Sequence, residues 1–157
     1  MLERNLESNR PRRWDELGAG APTVIALAEL CSRAMADQVC VTGPLSGEAR
    51  AILWAARTRG IIEVRGNNTA YEAPSRFLTV YVELDEDRRL RFRNRADPAM
   101  NIRFFDGFRE LCTTGLVMHH LYHEFSLTRA GFEFAATLAD EDVQSLIDLG
   151  HECGPGD

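Results

Sequence analysis

Apolar residues recur at helical spacing in the first half of the chain. Between 23 and 38, Val24, Leu27, Ala28, Cys31, Ala34 and Met35 share one stripe, while Glu29, Arg33 and Asp37 face away. That period predicts an amphipathic helix. A second helix is predicted from Ser46, an N-cap residue, towards Gly60, a stop signal, with Ala49, Ile52, Leu53 and Ala56 as its buried face. Arg50, Trp54 and Arg57 fall on a different face of it. The pattern then switches to the period of a strand. Ile61 to Arg65 reads as a short strand, followed by a polar loop from Gly66 to Arg76.

The clearest hairpin follows. Leu78, Val80, Val82 and Leu84 alternate with Thr79, Tyr81, Glu83 and Asp85, and on the return Leu90 and Phe92 alternate with Arg89, Arg91, Arg93 and Arg95. Placing both apolar sets on one face pairs Leu84 with Leu90 and Val82 with Phe92, with Glu86-Asp87-Arg88 as the loop. Asp85 then faces Arg89, Glu83 faces Arg91, and Tyr81 faces Arg93.

Asp97-Pro98 opens a helix with an acidic cap and a proline in its first turn. Met100, Phe104, Phe108, Leu111 and Cys112 form its inner stripe, with Phe105 at the edge, and Gly115 ends it. Leu116 to His120 and His123 to Leu127 read as short strands. Thr128 caps a helix to about Ala139, and Asp140 caps a last one with Val143, Leu146 and Ile147 inward and Gly150 as its stop. Residues 1–20 read as a mobile arm and 151–157 as a loose tail, which leaves 21–150 as a single α+β domain. Within the arm, Arg10-Pro11-Arg12-Arg13-Trp14 has the composition of a minor-groove hook, flanked by Glu3, Glu7, Asp15 and Glu16.

Size and composition agree with one core: 157 residues, 45% of them apolar. No run reaches the roughly 18 apolar residues needed to cross a bilayer, and the charged start is unlike a signal peptide. A cytoplasmic protein with no membrane partner is expected, with its cysteines reduced and mostly buried.

Charge changes the picture more. All 18 basic residues are arginine. Residues 46–110 carry twelve of them against ten acids, whereas 111–157 carry Arg129 alone against eight acids. A phosphate-binding surface in the last third would need the opposite sign.

Three sets of residues carry candidate chemistry. The ladder Arg89, Arg91, Arg93 and Arg95, with Arg103 and Arg109 on the following helix, suits an anion or nucleic acid, although the expected register neutralises two of its members with acids. Cys112, His119 and His123 would share a face if 108–124 were one helix, and would then suit a metal such as zinc. His151 and Cys153 would join them only if the tail folded back. Gly115 and the Leu116-Val117-Met118 run favour a strand there, so no metal and no cofactor is expected. Arg50, Trp54 and Arg57, together with Tyr81 and Arg93, have the composition of interface anchors. No nucleophile turn or phosphate loop is present, so no catalytic residue is assigned and a non-enzymatic protein is expected.

Leu111-Cys-Thr-Thr-Gly-Leu-Val117 resembles the end of a recognition helix entering a wing. Phe125-Ser-Leu-Thr-Arg-Ala-Gly-Phe-Glu-Phe-Ala135 resembles the strand and helix that close one. The C-terminal half is thus similar to winged-helix proteins, with residues 46–65 as the family's first helix and strand. The arginine hairpin stands where that family has a helix and turn. The resemblance implies a regulatory module that binds another protein or a second copy of itself, or else a DNA-binding regulator.

Overall fold

A computed structural model of the protein describes residues 21–38, 43–66 and 76–155. The Arg10–Trp14 segment, Cys40 and the Asn67-Asn68-Thr69 stretch lie outside them. The chain runs α1 (Ala21–Ala36), α2 (Gly47–Ala56), β1 (Ile61–Arg65), β2 (Thr79–Glu83), β3 (Arg89–Arg91) and α3 (Pro98–Thr113). It continues through β4 (Val117–His119), β5 (Glu124–Leu127), α4 (Arg129–Ala136), α5 (Asp140–Ile147) and β6 (His151–Cys153). The class is α+β. The strands form one antiparallel sheet in the order β4-β5-β1-β2-β3-β6. Among the described residues no helix is long and apolar enough to cross a membrane.

Register explains the layering. Ile62 lies opposite Val82 on one side and Phe125 on the other, and Val82 lies opposite Leu90. All four are buried, so this row faces the helices. Side chains one residue along each strand point the other way. They give a second row, Glu124, Glu63, Tyr81, Arg91 and His151, on the opposite face of the sheet.

Helix α2 is the centre of the helical layer. Ala49, Ala51, Ile52, Leu53, Ala55 and Ala56 are all buried, and the helix packs against α3, α4, α5 and β2. Ser46 Oγ accepts the Ala49 amide at 3.2 Å and caps it. The Ser46 amide in turn donates to Glu110 Oε1 of α3 at 3.0 Å. Helix α3 starts as its sequence predicts, with Asp97 Oδ1 accepting the Met100 amide at 3.3 Å. Its stripe Met100, Phe104, Phe108, Leu111 and Cys112 is buried throughout. Phe104 stacks on Phe92 of the sheet at 4.0 Å between centroids, and Phe108 meets Phe125 edge-on at 5.0 Å. The buried polar pair at this end is satisfied internally: Thr79 Oγ1 donates to Asn101 Oδ1 (3.0 Å), and Asn101 Nδ2 donates to the Leu78 carbonyl (2.7 Å).

Thr128 locks the β4–β5 hairpin to α4. Its hydroxyl accepts the Gly131 amide (3.1 Å) and donates to the Gly115 carbonyl (2.8 Å), and its amide donates to Leu116 O (3.0 Å). Gly131 itself lies against the Leu116 carbonyl, where any β-carbon would collide. This is why the Ser-Leu-Thr-x-x-Gly pattern needs a glycine at its last position.

Four expectations are corrected. The β2–β3 register is shifted by two residues, to Val82 with Leu90, Tyr81 with Arg91 and Glu83 with Arg89. Asp85 causes it: Oδ1 accepts the amides of Asp87 and Arg88, each at 2.9 Å, which draws Asp85 into the turn. A two-residue shift keeps every side chain on its expected face. The start of the tail is not loose, because His151–Cys153 pairs with β3 along the sheet edge. Helix α5 has Ala139 at its N-cap with no side-chain bond, and Asp140 is its first residue. Met35 is 57% exposed and lies off the stripe of α1.

Two substitutions test this frame. Phe104→Ala is expected to cost about 3–5 kcal/mol in denaturant-induced unfolding, because it leaves a cavity between α3 and Phe92. Gly131→Ala should cost about 1–3 kcal/mol by overpacking against a backbone carbonyl that has little room to yield. Wild-type stability in Gly131→Ala would contradict the close approach.

Candidate binding surface

The β4–β5 turn carries the most exposed large apolar side chains among the described residues. Leu121 is 68% exposed and Tyr122 80%. Turns select Gly, Asn, Asp and Ser, whose backbones and side chains suit tight bends. Here the left-handed position is taken by Tyr122, at φ +53. A bulky residue in that region stores about 1–3 kcal/mol of strain and needs surrounding structure to hold it. That structure is present. His119 Nε2 donates to the Tyr122 carbonyl at 2.7 Å, and the amides of His120 and Glu124 close the turn onto Glu124 O (3.0 Å) and Leu121 O (2.9 Å). The His119 ring packs edge-on against buried Phe125 at 5.0 Å, and His120 Nε2 hydrogen-bonds Ser126 Oγ at 2.7 Å. Beside the tip lies an open hollow of about 450 Å³, lined by Ile61, His120, Leu121, Glu124, Phe125 and Ser126. The result is an apolar tip on a hydrogen-bonded turn, next to a half-apolar hollow. Its sequence signal was Leu121-Tyr122 standing in a turn where polar residues belong.

The histidines do not assemble a metal site. His119 turns to Phe125, whereas exposed His123 lies 3.9 Å from Glu63 on the opposite face of the sheet. Cys112 is fully buried in the core. His151 and Cys153 lie on β6, at the opposite edge of the sheet from β4. Gly115, at φ +72, ends α3 and separates Cys112 from the hairpin, so the continuous helix that would have aligned the three never forms. Among the described residues no three His, Cys, Asp or Glu side chains come together to hold a metal ion.

One member of the arginine ladder, Arg89, is tied into the sheet. Glu63 is its hub: its Oε2 lies 3.1 Å from Arg89 Nη1 and 3.5 Å from Arg65 Nε. Glu83, expected opposite Arg91, instead takes Arg59 at 2.9 Å. Arg91 and Arg93 are half-buried and form no ion pair among the described residues, and Arg95 is exposed before α3. On α3, Arg103 Nε lies 3.5 Å from Glu48 and Arg109 Nη2 3.2 Å from Asp106. Both arginines line a cleft of about 580 Å³ whose wall also carries Asp106 and Glu110, so the cleft presents both signs of charge.

The expected interface anchors separate. Tyr81 is only 6% exposed and lies under the Arg65 guanidinium, 4.2 Å from its ring centroid, so it is not a surface anchor. Arg65, not Arg93, is its cationic partner, because the register places Arg91 beside Tyr81 and leaves Arg93 farther along. Trp54 belongs to the helical layer, on the other side of the sheet. Arg57 lies 3.5 Å over its ring and donates to its carbonyl at 2.7 Å, which makes an internal stack. Arg50 is half-buried, and its Nε is enclosed without a hydrogen-bond partner.

Removing the hub is informative. Glu63→Ala should destabilise the chain by about 1–3 kcal/mol, between an exposed pair and a buried one, because Arg89 and Arg65 lose a shared carboxylate at a site mostly shielded from water. Thermal or denaturant unfolding reads it. No protein-family model, curated protein or solved structure matches the chain.

Proposed function

We propose that the chain is a non-enzymatic interaction module of winged-helix-like build, and that its β4–β5 hairpin is the contact wing. Its partner is a second copy of the chain. The observation that carries this reading is the tip itself: Leu121 and Tyr122 stand exposed on a backbone held in a strained conformation. Strain of that kind is retained where a fixed presentation of side chains has a use. A turn backbone already held in its conformation has less freedom to lose on binding, and exposed aromatic and aliphatic side chains are the kind that come to dominate an interface. The order α2-β1 followed by α3-β4-β5, with β1 paired to β5, supports the winged-helix likeness.

The DNA-binding alternative has less support. Contacts to phosphate need unpaired cations on the presented helix and wing. Arg103 and Arg109 lie beside Glu48 and Asp106, and the wing tip carries Leu121 and Tyr122 between histidines.

Sedimentation equilibrium across a concentration series tests the proposal. The wild type should reach the mass of a dimer, and the Leu121→Ser, Tyr122→Ser double variant should remain a monomer with an unchanged circular dichroism spectrum. A monomeric wild type at every concentration overturns the dimer. A double variant that dimerises as well as the wild type overturns the role of the tip.

A further inference from the structure

Two arginines of the sheet are left without a counter-ion. Phe92 donates its amide to the Val80 carbonyl at 3.1 Å and turns its ring into the core against Phe104, so Arg91 and Arg93 on either side of it project from the opposite face. Both are half-buried, and among the described residues neither guanidinium takes part in an ion pair or a hydrogen bond. A ligand can still reach them. The side-chain nitrogens sealed from solvent without a partner are Arg50 Nε and Arg65 Nε, and none belongs to Arg91 or Arg93. Strand β3 is separated from the β4–β5 hairpin by β1 and β2, so neither arginine has a part in the tip.

The nearby acids are already taken. Glu63 holds Arg89 and Arg65, and Glu83 holds Arg59 at 2.9 Å. Glu152 of β6 lies opposite Leu90, in the row that faces the helices, with its Oε1 3.4 Å from Arg88. Asp97 is spent on the cap of α3, and Glu124 is three strands away on β5. In extended backbone, residues two apart stand about 6.6 Å from each other, so the two guanidinium groups are neighbours. Like charges held together and partly desolvated are costly unless an anion joins them. A third nitrogen group flanks them. Exposed His151 lies directly across from Arg91, in a pairing that sets β-carbons about 4.5–5.5 Å apart.

We propose that Arg91, Arg93 and His151 form a site for the phosphoryl group of a small molecule. A carboxylate has a single charge and two oxygens, which one guanidinium fork satisfies. A phosphoryl group carries a charge of about −1.5 to −2 and three strong acceptor oxygens, enough to meet two forks and an imidazole together. A long polyanion fits less well. The net charge of −6 opposes its approach, and a run of phosphates needs further free cations where Arg89, Arg103 and Arg109 are each paired with an acid. The site exists only because the tail returns to the sheet, since β6 is what brings His151 beside Arg91.

Isothermal titration of the full chain with inorganic phosphate and with phenyl phosphate tests this, with benzoate as the carboxylate for comparison. Expected is one saturable site per chain for a phosphoryl probe, weaker binding of benzoate, and a loss of affinity of about tenfold or more in Arg91→Gln and in Arg93→Gln. Arg93 lies beyond the end of β3, so Arg93→Gln reads the site even if Arg91→Gln does not fold. Arg109→Gln removes the same charge from α3 and should bind as the wild type does. Tighter binding of phenyl phosphate supports an ester as the ligand, and tighter binding of inorganic phosphate supports the free ion. The absence of saturable binding by either probe overturns the proposal, as does benzoate binding equally well. An equal loss in Arg109→Gln also overturns it, because that marks a general effect of charge. A single-stranded oligonucleotide that binds more tightly than both probes, and loses affinity in Arg93→Gln, overturns the small-molecule ligand in favour of nucleic acid.

Discussion

The fold depends on how closely α2 can be approached. A helix surrounded by three others and a sheet must offer little volume on most of its faces, and Gly47-Glu-Ala-Arg-Ala-Ile-Leu-Trp-Ala-Ala56 does so by spacing four alanines around two large aliphatic residues. The neighbours reciprocate. Gly107 of α3 lies so near the start of α2 that a β-carbon on it would come within 2.8 Å of the Ala49 nitrogen. Tight packing of this kind transmits small changes in volume rather than absorbing them. It also fixes where α3 lies, and with α3 the Phe104 stack, the Cys112 sulfur and the entry to β4.

The two faces of the sheet are held by different physics. The helical face is a continuous apolar core running from Leu90 and Phe92 to Phe125 and Leu127. The other face carries long side chains, with Arg89 and Arg65 gathered on Glu63 and Arg65 laid over Tyr81. Arginine suits this role, since its planar head ion-pairs at the edge and stacks on the flat while its stem covers apolar surface. Of the row of guanidinium groups that reads in sequence as a phosphate grip, Arg89 is drawn into this cluster.

What was legible in the sequence was local. The Ser46, Asp97 and Thr128 caps and the stop at Gly115 are set by side chains bonding within a few residues of themselves, and each stands where the sequence places it. The inner stripe of α3 was equally plain, because a 3.6-residue period admits one buried face. Alternation along β2 and β3 fixed which side chains share a face but not which residue meets which, and Asp85 settled that by bonding into the turn. Strand β6 was hidden because His-Glu-Cys has no alternation of its own and becomes a strand only by pairing with β3. The burial of Tyr81 under Arg65 is long-range, and no local period reports it. Of the anticipated interface, Trp54 and Arg57 turned out to be partners of each other.

The pairing of β1 with β5 has a kinetic side. Ile61 lies opposite Ser126, with the β2–β3 hairpin and all of α3 intervening in sequence. During synthesis β1 can zip onto β2 early, but its other edge, beside buried Ile62 and Val64, stays open until β5 emerges. Non-local strand pairing of this sort places a protein among the slower folders, and an open apolar edge is the part of a nascent sheet most prone to join a neighbouring chain. The Thr128–Gly131 lock that follows β5 ties its hairpin to α4 and to the end of α3, so the strand that closes this edge comes with its own anchorage in the helical layer.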